Sequence, residues 1–158
     1  MGVILRTVGI RVSPNEVYYV ILEEENGDKT IIAKDKITHP VSYNMPKALV
    51  HYREQFSTLF DTQKIGSCGI KITEPIAMRR ADTRLLYRCN IEGVITELAA
   101  SKGMGVNGFT LQTISASLGV KSAKQIIESQ DFDIIEGGRA LKSNYREAVL
   151  AGIAAFNL

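Results

Sequence analysis

The 158-residue chain has no tryptophan, two cysteines, two histidines and four prolines, and its 19 basic and 17 acidic side chains nearly cancel. Each scarcity excludes something. Cys68 in a strand-like run and Cys89 in a helical run cannot build a disulfide framework, and both read as buried thiols of a reduced compartment. His39 and His51 do not complete with them the four-ligand spacing of a structural zinc, so no metal and no cofactor is expected. A net charge of +2 exerts no overall pull toward DNA or an anionic membrane, and any basic patch must come from local clustering. No apolar run is long enough to cross a bilayer, and the N-terminus lacks the basic region, apolar core and cleavage site of a leader. The expectation is a cytoplasmic protein with no membrane partner. Nucleophilic and phosphate-cradling motifs are also missing: no serine sits in a Gly-x-Ser-x-Gly elbow, and no Walker lysine follows Gly103 to Gly108.

Apolar residues, by contrast, make up 45% of the chain, enough for one sizeable core and a single domain over 1–158. Residues 3–12 and 16–22 read as strands separated by a Ser13-Pro14-Asn15 turn, and residues 30–38 alternate as a third, half-exposed strand after the Asn26-Gly27 hairpin signal. On period-two grounds one of Tyr18 and Tyr19 faces the core and the other faces outward. A helix starts near Pro46 and runs to about Asp61, followed by a strand over 65–72 and an amphipathic helix over about 77–102 with Ile91, Val94, Ile95 and Leu98 spaced for burial. A strand over 105–112, a helix from Lys121 to Ser129 and an apolar helix from Ser143 to Phe156 complete the order βββαβαβαα. That order predicts a mixed α/β sheet with helices on both faces, and Asp131 to Lys142 is its candidate mobile loop.

Two strand-like segments share one shape. Val8-Gly9-Ile10 is followed by Arg11, and Cys68-Gly69-Ile70 by Lys71. With Ala81-Asp82, Glu92-Gly93-Val94-Ile95, Ile114-Ser115-Ala116-Ser117-Leu118-Gly119, Ser122-Ala123-Lys124-Gln125 and Glu147-Ala148-Val149-Leu150-Ala151, in this order, the chain resembles the RNase H-like superfamily, and within it the RuvC branch of Holliday-junction resolvases. The resemblance implies a five-stranded sheet, an antiparallel three-strand meander continued by parallel crossovers. It implies that strand-end acids holding Mg²⁺ would fall at Arg11, at Lys71, at Ser143 or Asn144, and at Glu147. It also implies that the tract around Lys121 and Lys124 helps to grip junction DNA, and that the protein pairs as a homodimer, for which the apolar stripe of the 77–102 helix would serve.

Of those acid positions only Glu147 is acidic. Two-metal phosphoryl transfer needs several carboxylates converging on ions ~4 Å apart, and a lysine or arginine there repels the cation. The expectation is therefore a catalytically inactive domain that works by binding, with no catalytic residue. Arg11, Lys71 and Glu147 would form either a paired charge cluster or a cleft for a phosphate or an acidic side chain, extended by Arg79, Arg80, Lys121 and Lys124. The partner, a protein or a nucleic acid, is left open. Arg79, Arg80, Arg84 and Arg88 read in the main as a solvated helix face. The rival is a metal-dependent nuclease of relocated acids, which needs Glu16, Glu74 and Glu147 to converge on one point.

Overall fold

The computed structural model describes residues 2–75 and 82–158. Strands β1 (Ile4–Val12), β2 (Glu16–Glu25) and β3 (Asp28–Thr38) form the antiparallel meander. The turn between β2 and β3 is made by Asn26 and Gly27, both at positive φ (55° and 83°), the backbone that an Asn-Gly hairpin favours. Beyond β1 the pairing becomes parallel, first to β4 (Ser67–Lys71) and then to β5 (Gly105–Phe109), for a sheet order of β3-β2-β1-β4-β5. The mixed five-stranded sheet is the one the sequence predicts.

Two helices cover one face. α1 (Met45–Thr62) is capped by the Asn44 side chain with Pro46 in its first turn, and α2 (Thr83–Ser101) is capped by Asp82. Their Tyr52, Phe56, Phe60, Ile91, Ile95 and Leu98 pack on Val8, Ile10, Val12, Cys68 and Ile70 of the central strands. Each such side chain, fully buried, contributes about 1.5–3 kcal/mol. The other face receives α3 (Leu111–Leu118), α4 (Ala123–Glu128) and α5 (Ser143–Ala155), which share a second core with Val20, Leu22, Phe132 and Ile135.

The closest packing is between α5 and the sheet. Gly9 and Gly69 are register partners on β1 and β4, and both lie beneath α5. A Cβ on Gly9 would sit 1.7 Å from the Ala148 carbonyl oxygen, and one on Gly69 would sit 2.0 Å from that of Ala151. Only glycine permits this approach. Thr7, on the same face of β1, fastens the helix further by donating its hydroxyl to the Gly152 carbonyl at 2.8 Å.

Several expectations need correction. The fifth expected strand runs to 112, yet β5 stops at Phe109 and α3 follows at once, held by a reciprocal cap between Thr110 and Thr113 and closed by Gly119 at positive φ. Tyr18 and Tyr19 are both half-buried, because helices cover both faces: Tyr18 meets Tyr145 edge-on and Tyr19 meets Phe56. The supposed mobile loop is fastened inward by Phe132, Ile135 and Leu141, and by Arg146. That buried guanidinium donates to the carbonyls of Ile127, Ser129, Arg139 and Leu141 and stacks over Phe132. The α2 stripe of Ile91, Ile95 and Leu98 is spent in the core and is not open to a second copy. The first five positions expected for that helix, 77–81, lie outside the described residues.

Candidate functional site

Strand alternation turns Arg11 and Lys71 to the same face as Gly9 and Gly69, two residues further along each strand. They are register partners themselves, side by side at the C-terminal ends of β1 and β4. The glycine pair lets the first turns of α5 settle close above, and Glu147 stands between the two cations. Arg11 Nε donates to Glu147 Oε2 at 3.0 Å, and Lys71 Nζ lies 4.0 Å from Glu147 Oε1. The sequence reading thus joined three residues from distant parts of the chain, and the fold brings them into one cluster.

Lys71 is the most enclosed of the three, with a side chain only 3% exposed. An ammonium withdrawn from water costs several kcal/mol unless it is well paired. Here it meets Glu74 Oε1 at 2.9 Å and donates to the Ile72 carbonyl at 2.7 Å, besides its longer contact with Glu147. Glu74 also accepts the Leu111 N–H at 2.8 Å, which ties the cluster to the start of α3. Arg11 completes its own partners with the Val12 carbonyl and, at 3.5 Å, the Ser13 hydroxyl.

A second pair, which the sequence reading missed, extends the cluster onto α2. Glu92 is 6% exposed and accepts from the Thr73 N–H, the Thr73 hydroxyl and, at 2.9 Å, Arg88 Nε. Arg88, read as part of a solvated face, is instead mostly enclosed, and its buried Nη2 has no hydrogen-bond partner among the described residues. Burial pushes the Arg88 guanidinium down from its usual range, the nearby positive charge of Arg11 adds to this, and Glu92 opposes it. Helical spacing held the signal: positions 88, 92, 95 and 99 share the stripe that carries Ile95 and Ala99 into the core.

The remaining candidates lie apart. Glu16 is turned to Lys36 (3.1 Å) and to the Tyr18 hydroxyl, and that hydroxyl chiefly holds its carboxyl below the usual range. Lys121 and Lys124 are on the corner between α3 and α4, with Lys124 exposed and 4.0 Å from Glu128. Among the described residues no ion pair joins them to the cluster. Arg79 and Arg80 lie outside the described residues.

A divalent cation of the kind that the resembling nucleases hold does not fit these side chains. Among the described residues Glu147 is the one carboxylate in contact with both Arg11 and Lys71, and that guanidinium and ammonium flank it. Glu74 faces the same ammonium and Glu16 faces Lys36. Unit charges 4 Å apart interact by about 4 kcal/mol at an effective dielectric near 20, so each base would repel a doubly charged ion at that distance by about twice as much and cancel the attraction of the carboxylate it pairs with. Among the described residues no group of three or more histidine, cysteine or acidic side chains is placed to hold a metal ion.

No protein-family model matches the sequence, and no curated protein sequence matches it. Solved structures do match. The RuvC of Thermus thermophilus in complex with a Holliday junction superposes with a TM-score of 0.71 at 8% identity, over 95% of this chain and 92% of that one. The yeast mitochondrial Holliday junction resolvase gives 0.66 at 11% identity, covering 95% of this chain and 77% of the resolvase. The fowlpox virus Holliday junction resolvase gives 0.55 at 9% identity, over 98% and 100% of the two chains. The chain has the RNase H-like fold in its RuvC-like form.

Proposed function

We propose that this protein is a catalytically inactive RuvC-like domain that works by binding, with nucleic acid as its partner and the cytoplasm as its place of action. One observation carries the reading: the strand-end positions where the resembling resolvases hold acids are Arg11 and Lys71, and both are saturated by Glu147 and Glu74. With Arg11, Lys71, Glu74 and Glu147 paired with one another, no carboxylate of this cluster is left, among the described residues, to ligate an ion or to activate water. The likeness to a resolvase bound to its junction supports nucleic acid over other partners. Lys121 and Lys124, both exposed, would add phosphate contacts. A second copy of the chain is a further expected partner. The exposed Leu86 and Tyr87 on α2 offer it apolar contact in place of the buried stripe.

The test is junction and duplex DNA binding at two salt concentrations, beside a cleavage assay with Mg²⁺ and Mn²⁺ and light scattering for mass. The expected result is salt-sensitive binding with no metal-dependent cleavage. Cleavage that needs metal and disappears in Glu147→Gln would overturn the inactive reading. Failure to bind any nucleic acid would overturn the choice of partner.

A further inference from the structure

A second charged region lies on the α5 face, outside the Arg11–Lys71–Glu147 cluster. Where β2 and β3 pass the start of α5, an open cavity of about 300 Å³ is lined by Tyr18, Lys34, Lys36, Ala140, Lys142 and Tyr145. Its charged lining is of one sign, three ammonium groups, two from β3 and one from the start of α5. Its aromatic lining is braced: Tyr145 meets Tyr18 edge-on at 5.1 Å, and Lys34 Nζ stands 4.7 Å from the Tyr145 ring centroid. Lys36 is offset in part by Glu16 at 3.1 Å. Among the described residues neither Lys34 nor Lys142 has an acidic partner, so about two positive charges remain uncompensated. Lys142 is also the N-cap residue of α5, whose start has no side-chain cap and no acid in its first turn. The helix dipole there adds to the positive potential.

We propose that this cavity seats a phosphate group of a nucleic-acid strand, an inference that rests on the nucleic-acid reading above. Lysine ammoniums suit the task as mobile point charges on phosphate oxygens. The form of the cavity favours a strand over a free anion, since it is open, its lysines are exposed, and it exceeds the size of one phosphate. Its position agrees. Tyr18 is the register partner of Arg11, and Tyr145 precedes Glu147 by two residues on α5. A strand lying across the C-terminal ends of β1 and β4 therefore continues directly into the cavity.

The experiment is fluorescence anisotropy with a labelled four-way junction and a duplex, each over a salt series. It compares the wild-type chain, the double variant Lys34→Gln/Lys142→Gln, and Lys64→Gln at the opposite end of the parallel strands. All three substituted lysines are exposed, so folding is not at stake. The double variant is expected to bind several-fold more weakly, with a slope of log affinity against log salt shallower by about one contact. Lys64→Gln is expected to match the wild type. If the wild type binds and the double variant keeps its affinity and slope, the cavity assignment falls while the nucleic-acid reading stands. If the wild type binds no nucleic acid, both fall. Inorganic phosphate that shifts the Tyr145 ring resonances, in a protein that binds no oligonucleotide, would overturn the assignment to a strand.

Discussion

The contact between α5 and the sheet makes a strong prediction, because one substitution, glycine to alanine, should have opposite signs at different sites. Gly9→Ala places a Cβ 1.7 Å from the Ala148 carbonyl oxygen and 2.7 Å from the Gly152 nitrogen, both backbone atoms that no rotamer can move. Carbon–oxygen contacts settle at about 3.3 Å or more, so α5 would have to rise by about 1.5 Å. Residues Ala148 to Ala151, Ala154 and Ala155 are all fully buried against that interface, and all would lose contact together. Ordinary overpacking costs about 1–3 kcal/mol. A backbone clash under a central helix belongs at the top of that range or above it, so a loss of about 3 kcal/mol or more is expected. For a chain of this size that corresponds to a fall of about 6–12 °C in Tm. Gly69→Ala, at 2.0 Å from the Ala151 carbonyl, should behave alike. Gly93→Ala is the contrast: it lies on α2 with nothing within 4 Å of the added atom, and should stabilise by about 0.5–1 kcal/mol. Urea unfolding followed by circular dichroism measures all three. A loss below 1 kcal/mol at Gly9, or equal effects at Gly9 and Gly93, would refute the packing argument.

Arg146→Ala should cost several kcal/mol and open the 129–141 segment to limited proteolysis, since four carbonyls lose their donor; unchanged cleavage rates would count against this. Burial pushes the Tyr52 phenol up to about 12, so the folded state holds that proton more tightly than the unfolded chain. This contribution is complete below pH 10 and is lost as pH rises from 10 through about 12, and Tyr52→Phe should show a flatter fall in stability over that window in urea titrations. Burial likewise pushes the Cys68 thiol up, and Ellman's reagent should reach it only after unfolding, as mass spectrometry of the labelled peptide would reveal.

What could be read from the sequence follows from how local each signal was. Alternation and turn chemistry announce β1 to β3, and Pro46 announces the start of α1. The pairing of Arg11 with Lys71 was visible because both follow the same Gly-hydrophobic step, which sets them in one register. The missed features are those that depend on the far side of a contact. Helix α3 is eight residues long and begins directly after a strand, so its first two residues, Leu111 and Gln112, read as that strand's continuation. Glu92 and Arg146 look like surface charges by type, and only the fold puts Thr73 against the first and four carbonyls around the second. The loop was misread for a related reason: part of its anchor, Arg146, is on another element.

The inactive reading can be tested by reversing the charges it rests on. In the variant Arg11→Asp/Lys71→Glu, two acids join Glu147 at the strand ends, with Glu74 beside them. The strand-end charge changes by four units, and three or four carboxylates are left facing one another with no base at the strand ends. Such like-charge packing should destabilise the fold in the absence of metal. A divalent cation would relieve it, and an ion that binds only the folded state adds stability as RT ln(1 + [L]/Kd). For a weak site of Kd ~1 mM, adding ~10 mM Mn²⁺ would return about 1.4 kcal/mol. The wild-type chain, whose Glu147 and Glu74 are already paired with bases, should gain nothing beyond the effect of ionic strength, matched here with NaCl. A metal-specific gain in the variant and none in the wild type is the expected pair of results. Equal gains in both would mean that the native cluster accepts a cation despite Arg11 and Lys71, and the argument from charge would fail at its first step.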